Sequence, residues 1–221
     1  MKKKVVFCFA AIGMLLFMTV GAYGQAVINR VLYGQGESCS RNGVNTLALG
    51  YRLDPNVDDA FELMNDIGGT SVVAAIAQFD RTADGWVAYT GTSGVAFFLE
   101  PAEGYLVQLQ AGVAQVNYVF AANHDPSYVV QFDGLGTSGS RSGTNFYAPP
   151  FHATAATAED LIIELGGTNV VAWIGGFDRC NNAWSTYSGT QGRSFPLETG
   201  EAYLVRLQPW VASLFFVPSH F

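Results

Sequence analysis

Short apolar runs separated by glycine-rich turns recur along the chain, and most of them have the length of a β-strand. Val72–Phe79 is one continuous apolar run, and shorter runs surround Trp86–Tyr89 and Ala96–Leu99. Tyr105–Leu109 alternates Tyr, Val and Leu on one face with Leu and Gln on the other, and Gln115–Ala121 is a last run. Because successive side chains of a strand point to opposite faces, these runs predict antiparallel strands joined by turns.

One segment in each half has helical spacing instead. Within Asp58–Gly69, acids occupy the first turn, apolar residues recur at helical intervals, and a glycine pair ends the pattern. Thr157–Gly167 has the same features. Each segment therefore predicts one short helix that covers a face of the neighbouring strands.

The two halves of the chain are copies of each other. Ile67–Gln110 returns as Leu165–Gln208 at an offset of 98 residues, and 24 of these 44 positions are identical. Upstream, Ser40–Asn45 matches Ser140–Asn145 at an offset of 100, which places a two-residue insertion in an intervening loop. Each copy is long enough for its own core. The sequence thus predicts a mainly β fold with one short helix per module, built from two tandem antiparallel barrel- or sandwich-like modules spanning residues 25–123 and 124–221.

Three features of each copy carry a resemblance to known proteins: Phe79-Asp80 at a strand end, the pair Trp86 and Tyr89, and the segment Leu99–Val107. Together they resemble a tandem β-rich repeat module of uncharacterised secreted and cell-surface bacterial proteins. Its pattern is aromatic-Asp, then Trp-x-x-Tyr, then Leu-x-Pro-Gly-x-Gly-Tyr-x-Val, and the second copy lacks the Pro and one Gly at Thr199–Tyr203. The resemblance implies a non-catalytic extracellular binding or structural role, and it defines no functional residue.

Residues 1–24 have the pattern of a secretory signal peptide. Lys2–Lys4 precede the apolar run Val5–Val20, and Ala22-Tyr23-Gly24 then forms a cleavage site that leaves Gln25 as the first residue. An uncleaved anchor helix is the alternative, although the run is short and no positive flank follows it. We expect a secreted, extracellular or cell-surface protein without a membrane span after cleavage, with the periplasm as the alternative location.

Removal of that segment leaves eight arginines against eighteen acidic residues, a formal net charge of −10. No basic patch remains for a phosphate backbone, which disfavours nucleic acid as a partner. Anionic membrane surfaces are disfavoured for the same reason. The partners that fit the expected location are an extracellular protein, a glycan or further copies of the chain.

Two cysteines, Cys39 and Cys180, remain after cleavage. An intramolecular disulfide between them fits an oxidising compartment, and unpaired thiols or pairing between chains are the alternatives. Cys39 falls in a loop of the first copy and Cys180 in a hairpin turn of the second. If they pair, their Cα atoms must lie within about 7 Å of each other, and the two modules must pack as a compact unit.

Candidate catalytic groups are few. The histidines His124, His152 and His220 do not match one another at the repeat offset, and neither a Gly-x-Ser-x-Gly nor a His-Glu-x-x-His motif occurs. The segment Asp80–Gly85 partly resembles a calcium-binding loop, but the second copy lacks its pattern, which favours a hairpin turn.

Three acidic residues recur in both copies: Asp80, Glu100 and Glu103 return as Asp178, Glu198 and Glu201. A glycosidase needs two such carboxylates facing each other across a cleft. Local structure explains their positions in turns better, because an Asp side chain bonds its own backbone there. We therefore predict that the protein is not an enzyme and that it has no cofactor and no metal site.

Trp86, Tyr89, Trp184 and Tyr187 are the candidate ligand-binding residues, because exposed aromatic rings stack on sugars. A place in the core or in cross-strand pairs is the alternative for each of them, and it is the favoured interpretation for Trp86 and Trp184. The main interpretation is a non-catalytic secreted or cell-surface binding or structural protein built from two repeated modules. A carbohydrate-binding protein is the second interpretation, and a secreted hydrolase is the third.

Overall fold

The structure is a computed structural model that describes residues 25–50, 56–123 and 127–219. The predicted signal peptide, residues 1–24, and the histidines His124 and His220 lie outside the described residues. In the segments that are described, no helix is long and apolar enough to span a membrane.

The described segments form two copies of one arrangement, each with six strands and one α-helix. The elements of the first copy are β1 (Gln25–Tyr33), β2 (Val44–Ala48), α1 (Ala60–Ile67), β3 (Val73–Asp80), β4 (Gly85–Tyr89), β5 (Gly104–Leu109) and β6 (Gln115–Asn123). The elements of the second copy are β7 (Val130–Asp133), β8 (Thr144–Tyr147), α2 (Ala158–Glu164), β9 (Val171–Asp178), β10 (Ala183–Tyr187), β11 (Tyr203–Leu207) and β12 (Ser213–Phe216). A short 3-10 turn, Glu37–Cys39, precedes β2.

Each module contains a four-stranded antiparallel sheet and a separate two-stranded ribbon. The sheet of the first module has the order β4-β3-β5-β2, and its ribbon pairs β1 with β6. The second module repeats this with the sheet β10-β9-β11-β8 and the ribbon β7-β12. The predicted mainly β class with one short helix per module is confirmed. No sheet among the described strands closes into a barrel, so the modules are sandwich-like.

The prediction of a strand at Ala96–Leu99 was wrong. The segment contributes only an isolated bridge, between Phe98 and Asp59. Its backbone instead lies beside the start of α1, where the Ala60 amide donates to the Phe97 carbonyl at 3.0 Å and the Leu99 amide donates to the Asp58 carbonyl at 2.8 Å. The first bond satisfies the amide of Ala60, at the start of the helix. The segment thus bonds to the helix entrance instead of to a neighbouring strand.

The inner face of each sheet builds the core of its own module. Tyr105, Val107 and Leu109 alternate along β5 and are buried in one cluster with Leu63 and Met64 of α1. Leu32 of β1 and Tyr118 of β6, in the ribbon, belong to the same cluster. The alternation follows from the period of two along a strand, so one face of β5 belongs entirely to this core.

A buried asparagine joins the ribbon to the sheet in each module. The Asn45 side chain accepts from the Tyr33 amide at 2.9 Å and donates to the Tyr33 carbonyl at 3.0 Å. Asn145 forms the same two bonds with the backbone of Asp133, at 3.0 and 3.1 Å. Because an unpaired buried amide is costly, these bonds fix where β1 and β7 cross their sheets.

The outer faces of the two four-stranded sheets pack against each other. Phe146 and Leu204 of the second module form a buried cluster with Ala48 of the first, and Phe79 and Leu106 pack against it. The two sheets therefore form the middle layers of the molecule, with a helix and a ribbon outside each of them.

The contacts between modules obey an approximate two-fold relation. The Ala48 amide donates to the Gly200 carbonyl at 2.9 Å, and the Ala148 amide, at the equivalent position, donates to the Ala102 carbonyl at 2.8 Å. Each module therefore presents the same surface to the other, as in the interface of a symmetric dimer.

A disulfide joins Cys39 to Cys180 across this interface, and their Cα atoms lie 4.7 Å apart. The positions equivalent to these cysteines are Gly139 and Thr82, which also lie together, since a Cβ atom on Gly139 would be 3.2 Å from the Thr82 Oγ1. The covalent link thus occupies one of two equivalent contacts.

We expect Gly104→Ala to destabilise the protein by about 1–3 kcal/mol, because overpacking forces neighbours to shift. A Cβ atom at Gly104 would lie 2.3 Å from the Cβ of Ala202 and 2.9 Å from the Phe146 ring, both in the other module. Urea denaturation measures the change. Gly85→Ala is the matched control, since no atom lies within 4 Å of its Cβ position. Equal stability of the two variants would contradict the tight packing of the sheets.

We expect replacement of both cysteines, Cys39→Ser with Cys180→Ser, to lower the free energy of unfolding by about 4–5 kcal/mol. The bond closes a loop between residues 141 positions apart, and such a loop strongly restricts the unfolded chain. Guanidinium chloride denaturation of the oxidised wild type and the double variant measures this. Two free thiols in the native, unreduced wild type would show that the bond does not form.

Candidate functional site

The predicted tryptophans Trp86 and Trp184 lie against each other at the module boundary. Their rings are stacked with centroids 6.0 Å apart and planes only 4° from parallel. Phe146 presents its edge to both rings, at 5.1 and 5.7 Å. Trp173, which occurs only in the second copy, packs against the same buried cluster. These contacts join the two modules and cover part of the aromatic surface that a sugar would need, although Trp86 is still 36% exposed.

The predicted tyrosines Tyr89 and Tyr187 lie elsewhere, each inside the core of its own module. They are only 9% and 8% exposed. Their hydroxyls face the carbonyls of Gly91 and Gly189, at 3.5 and 3.3 Å. The structure therefore does not bring the four predicted residues together into one aromatic surface.

A larger site lies between the modules, on the side of β7. It is a cavity of about 760 Å³, called the open cleft below. Charged and polar residues of both modules line it, among them Asp80, Arg81, Glu100, Glu103, Tyr128, Gln131, Asp133 and Asn145. Among the described residues, the lining contains neither a histidine nor a cysteine.

A buried tyrosine shapes the wall that carries the glutamates. The Tyr105 hydroxyl accepts from the Glu100 amide at 2.5 Å, and the Glu103 amide donates to the Glu100 carbonyl at 3.2 Å. Burial, followed by the charge of Glu103, raises the pKa of Tyr105 far above its usual range, so the hydroxyl stays neutral. Tyr203 makes the same bond to the Glu198 amide in the second module. In both modules, a buried tyrosine thus fixes the backbone of the turn that carries the two glutamates.

Arg81 links the two walls of the open cleft. It lies in the hairpin turn after β3, where the Asp80 carboxylate accepts from the Thr82 amide at 2.8 Å. Its guanidinium donates to Asp133 of the second module at 2.7 Å and to Glu103 at 3.1 Å. Asp133 is itself positioned by Gln131, whose side-chain amide donates to it at 2.9 Å. One arginine therefore serves two carboxylates from different modules.

The carboxyl of Glu103 has a raised pKa. Burial is the main cause, and it outweighs the Arg81 charge, which lowers the pKa; Glu100 and Asp133 raise it further. Burial, Glu100 and Glu103 also raise the pKa of the Tyr128 hydroxyl. Burial is thus the main cause of both shifts, and the neighbouring carboxylates add to it.

The two-fold relation generates an equivalent cleft on the opposite side, called the filled cleft below. There Arg30 of β1 enters between Glu198 and Glu201, and its guanidinium bonds to Glu201 and lies 3.5 Å from Glu198. Arg179, the equivalent of Arg81, lies over the ring of Tyr33, 4.6 Å from its centroid.

A separate acidic group lies at the start of α1, where the carboxylate oxygens of Asp58, Asp59 and Glu62 come within 4.8 Å of one another. Asp59 accepts from the Glu62 amide at 2.8 Å, and Glu62 accepts from the Asp58 amide at 2.9 Å. Capping of the helix accounts for these positions without a metal ion.

Sequence reasoning singled out Asp80, Glu100 and Glu103 as recurring acids but did not place them in a shared cleft with Asp133. It did not identify Arg30 or Arg81 as site residues either. The signal that could have revealed them is a difference between the copies: Arg30 is opposite Val130 at the offset of 100 residues, and Asp133 is opposite Tyr33.

Comparison of the chain with protein-family models, with curated proteins and with solved structures found no match.

We expect Arg81→Met to raise the pKa of Glu103 further, because Arg81 is the group that lowers it. A carbon-detected NMR titration of the glutamate carboxyls measures this. Arg193→Met, at an exposed position of the second module, is the control and should leave the Glu103 titration unchanged. An unchanged or lower Glu103 pKa in Arg81→Met would contradict the ion pair.

Proposed function

We propose that this chain is a non-catalytic secreted or cell-surface binding protein, and that its two modules act as one unit with the open cleft as the binding site. The observation that carries the proposal is the cavity of about 760 Å³ that both modules build together. Cavities of this size at the boundary of two structural units are preferred places for ligands.

The contacts across the boundary favour binding by a preformed site. The Cys39–Cys180 disulfide and the stacked tryptophans hold the modules on either side of the cleft, and Arg81 connects the walls directly. A site whose walls are already fixed loses less conformational entropy when a ligand binds.

An extracellular or cell-surface location fits the same features. Disulfides persist in oxidising compartments, and a bond that closes a long loop supports stability there. The acidic character of the chain, with a sequence pI of about 4.8, fits an extracellular protein or a glycan better than a polyanion as partner.

Carbohydrate binding is the second candidate function, and a different cavity favours it. A cavity of about 670 Å³ in the second module is lined by the rings of Phe177 and Phe195 and by the hydroxyls of Ser185 and Thr186. Asp178 and Glu201 add carboxylates and Arg193 adds a guanidinium to the same lining, so this cavity adjoins the filled cleft. Aromatic surface combined with hydroxyl and carboxylate groups suits the two faces of a sugar ring.

We expect Gln131→Trp to abolish binding of ligands that occupy the open cleft. Gln131 is an exposed residue of β7 that lines the cleft, so an indole ring there would fill space without disturbing a core. Ligands are first identified for the chain from Gln25 to Phe221 on peptide and glycan arrays, and their affinities are then measured by calorimetry for wild type and variant.

Val95→Trp is the matched control, because Val95 is 80% exposed and does not line either cavity. Loss of binding in Gln131→Trp alone supports the open cleft as the site. Ligands that bind both variants equally well would overturn it, and glycans that respond only to changes at Phe177 or Phe195 would favour the second cavity.

A further inference from the structure

The two clefts occupy equivalent places in the repeat. Arg30 pairs with Tyr118 in the ribbon of the first module, and Val130 pairs with Phe216 in the ribbon of the second. Since Tyr118 and Phe216 are themselves related by the 98-residue offset, Arg30 and Val130 hold the same position relative to their strands. The two clefts therefore differ in side chains and not in backbone placement.

In the filled cleft, the chain supplies its own ligand. The Arg30 side chain is only 10% exposed and crosses the module boundary to two glutamates, Glu198 and Glu201. Gly200 lies beside it, and a Cβ atom there would be in ordinary contact with the Arg30 Cδ, at 3.4 Å. A planar guanidinium is well suited to carboxylates in such a place, because it directs several N–H donors in one plane.

In the open cleft, the same position ends in the short side chain of Val130. Glu103 is left to share Arg81 with Asp133, and the side chain of Glu100 is exposed beside the cavity. The cavity is lined by Val130 together with Glu100 and Glu103, the counterparts of the two partners of Arg30, and Arg81 takes up one bond of Glu103.

The charges of the two clefts differ in the same sense. Among the described residues that line it, the open cleft combines one arginine with four acids: Arg81, Asp80, Glu100, Glu103 and Asp133. The equivalent positions in the filled cleft hold two arginines, three acids and an uncharged tyrosine: Arg30, Arg179, Asp178, Glu198, Glu201 and Tyr33. The formal charge is thus −3 in the open cleft and −1 in the filled cleft.

We propose that the open cleft binds the guanidinium group of an arginine side chain from a partner peptide, between Glu100 and Glu103, as the filled cleft binds Arg30. The inference rests on the proposed function, because it names the ligand class of the same site. The cavity of about 760 Å³ is larger than one side chain, which leaves room for residues that flank the arginine.

The first experiment is calorimetric titration of the chain from Gln25 to Phe221 with the tripeptide acetyl-Gly-Arg-Gly-amide at low ionic strength. We expect one equivalent to bind, and we expect the citrulline tripeptide, which has the same shape but no charge, to bind at least tenfold more weakly. Agmatine, a free guanidine, is the second arm. Tighter binding of the tripeptide supports a peptide partner, whereas tighter binding of agmatine overturns that source. Equal affinities for arginine and citrulline would overturn the guanidinium proposal.

The second experiment changes the cleft itself. Glu100→Gln should weaken tripeptide binding by roughly tenfold, the effect of losing one charge-assisted bond. Glu198→Gln, at the equivalent position of the filled cleft, is the matched control and should change the affinity less than twofold. Equal effects of the two substitutions would show that the tripeptide does not bind where we place it.

The third experiment places an arginine in the open cleft at the position that corresponds to Arg30. Val130→Arg combined with Ala102→Gly reproduces the residues of the filled cleft and should abolish tripeptide binding. Thermal unfolding shows whether this variant folds, and Glu100→Gln decides the question if it does not. Undiminished binding by a folded double variant would overturn the proposal.

The outcomes separate this inference from the proposed function. If array ligands bind the open cleft and Gln131→Trp removes them, but the arginine tripeptide does not bind, the guanidinium proposal fails and the binding function stands. If neither the array ligands nor the tripeptide respond to Gln131→Trp, both proposals fail.

Discussion

The packing of the two four-stranded sheets against each other determines the rest of the structure. Each sheet is apolar on both faces: the inner face packs under its own helix and ribbon, and the outer face carries residues such as Phe79, Leu106 and Leu204. An exposed apolar face of that size is unfavourable in water. Each module therefore covers the outer face of the other, and the disulfide, the stacked tryptophans and both clefts exist only because the sheets meet in this orientation.

Duplication explains why the interface between the two modules is nearly symmetric, and divergence of the copies explains why the symmetry is incomplete. Backbone contacts such as Ala48 with Gly200 and Ala148 with Ala102 are the same on both sides, because they depend on the shared fold. Side chains differ where the copies have diverged. Phe146 fills the middle of the interface where the first copy has Thr46, and close packing requires a glycine, Gly104, beside it. The same divergence leaves one cleft with an arginine of the chain in it and the other open.

Much of the fold could be predicted from local patterns. Both helices, the hairpin of β3 and β4, and the alternation along β5 depend on the spacing of apolar residues, glycines and acids within a few positions. The segment Ala96–Leu99 was assigned wrongly because an apolar run has the same appearance whether it pairs in a sheet or lies beside a helix end. The strand β1 was not predicted at all, because its pairing with β6 involves residues far away in the chain.

The candidate site was less accessible to sequence reasoning. The acids Glu100 and Glu103 could be recognised as recurring, yet their positions in turns favoured a purely structural role. Trp86 and Trp184 were recognisable as large aromatic residues, but whether a ring faces solvent or another ring depends on the neighbouring module. Arg81 could not be recognised as a site residue because its partner Asp133 is remote in sequence and close only in space.

The sequence by itself determined the repeat, the class of the fold and the local elements, because these follow from periodicity and turn chemistry along the chain. The tertiary structure alone decided how the two copies face each other, which cysteines and tryptophans meet, and which cleft stays open. The physical reason is that burial of the outer sheet faces is a property of two surfaces together. The sequence pattern of either copy shows that the outer face of its sheet must be covered. Only the packed pair shows that the sheet of the other module covers it.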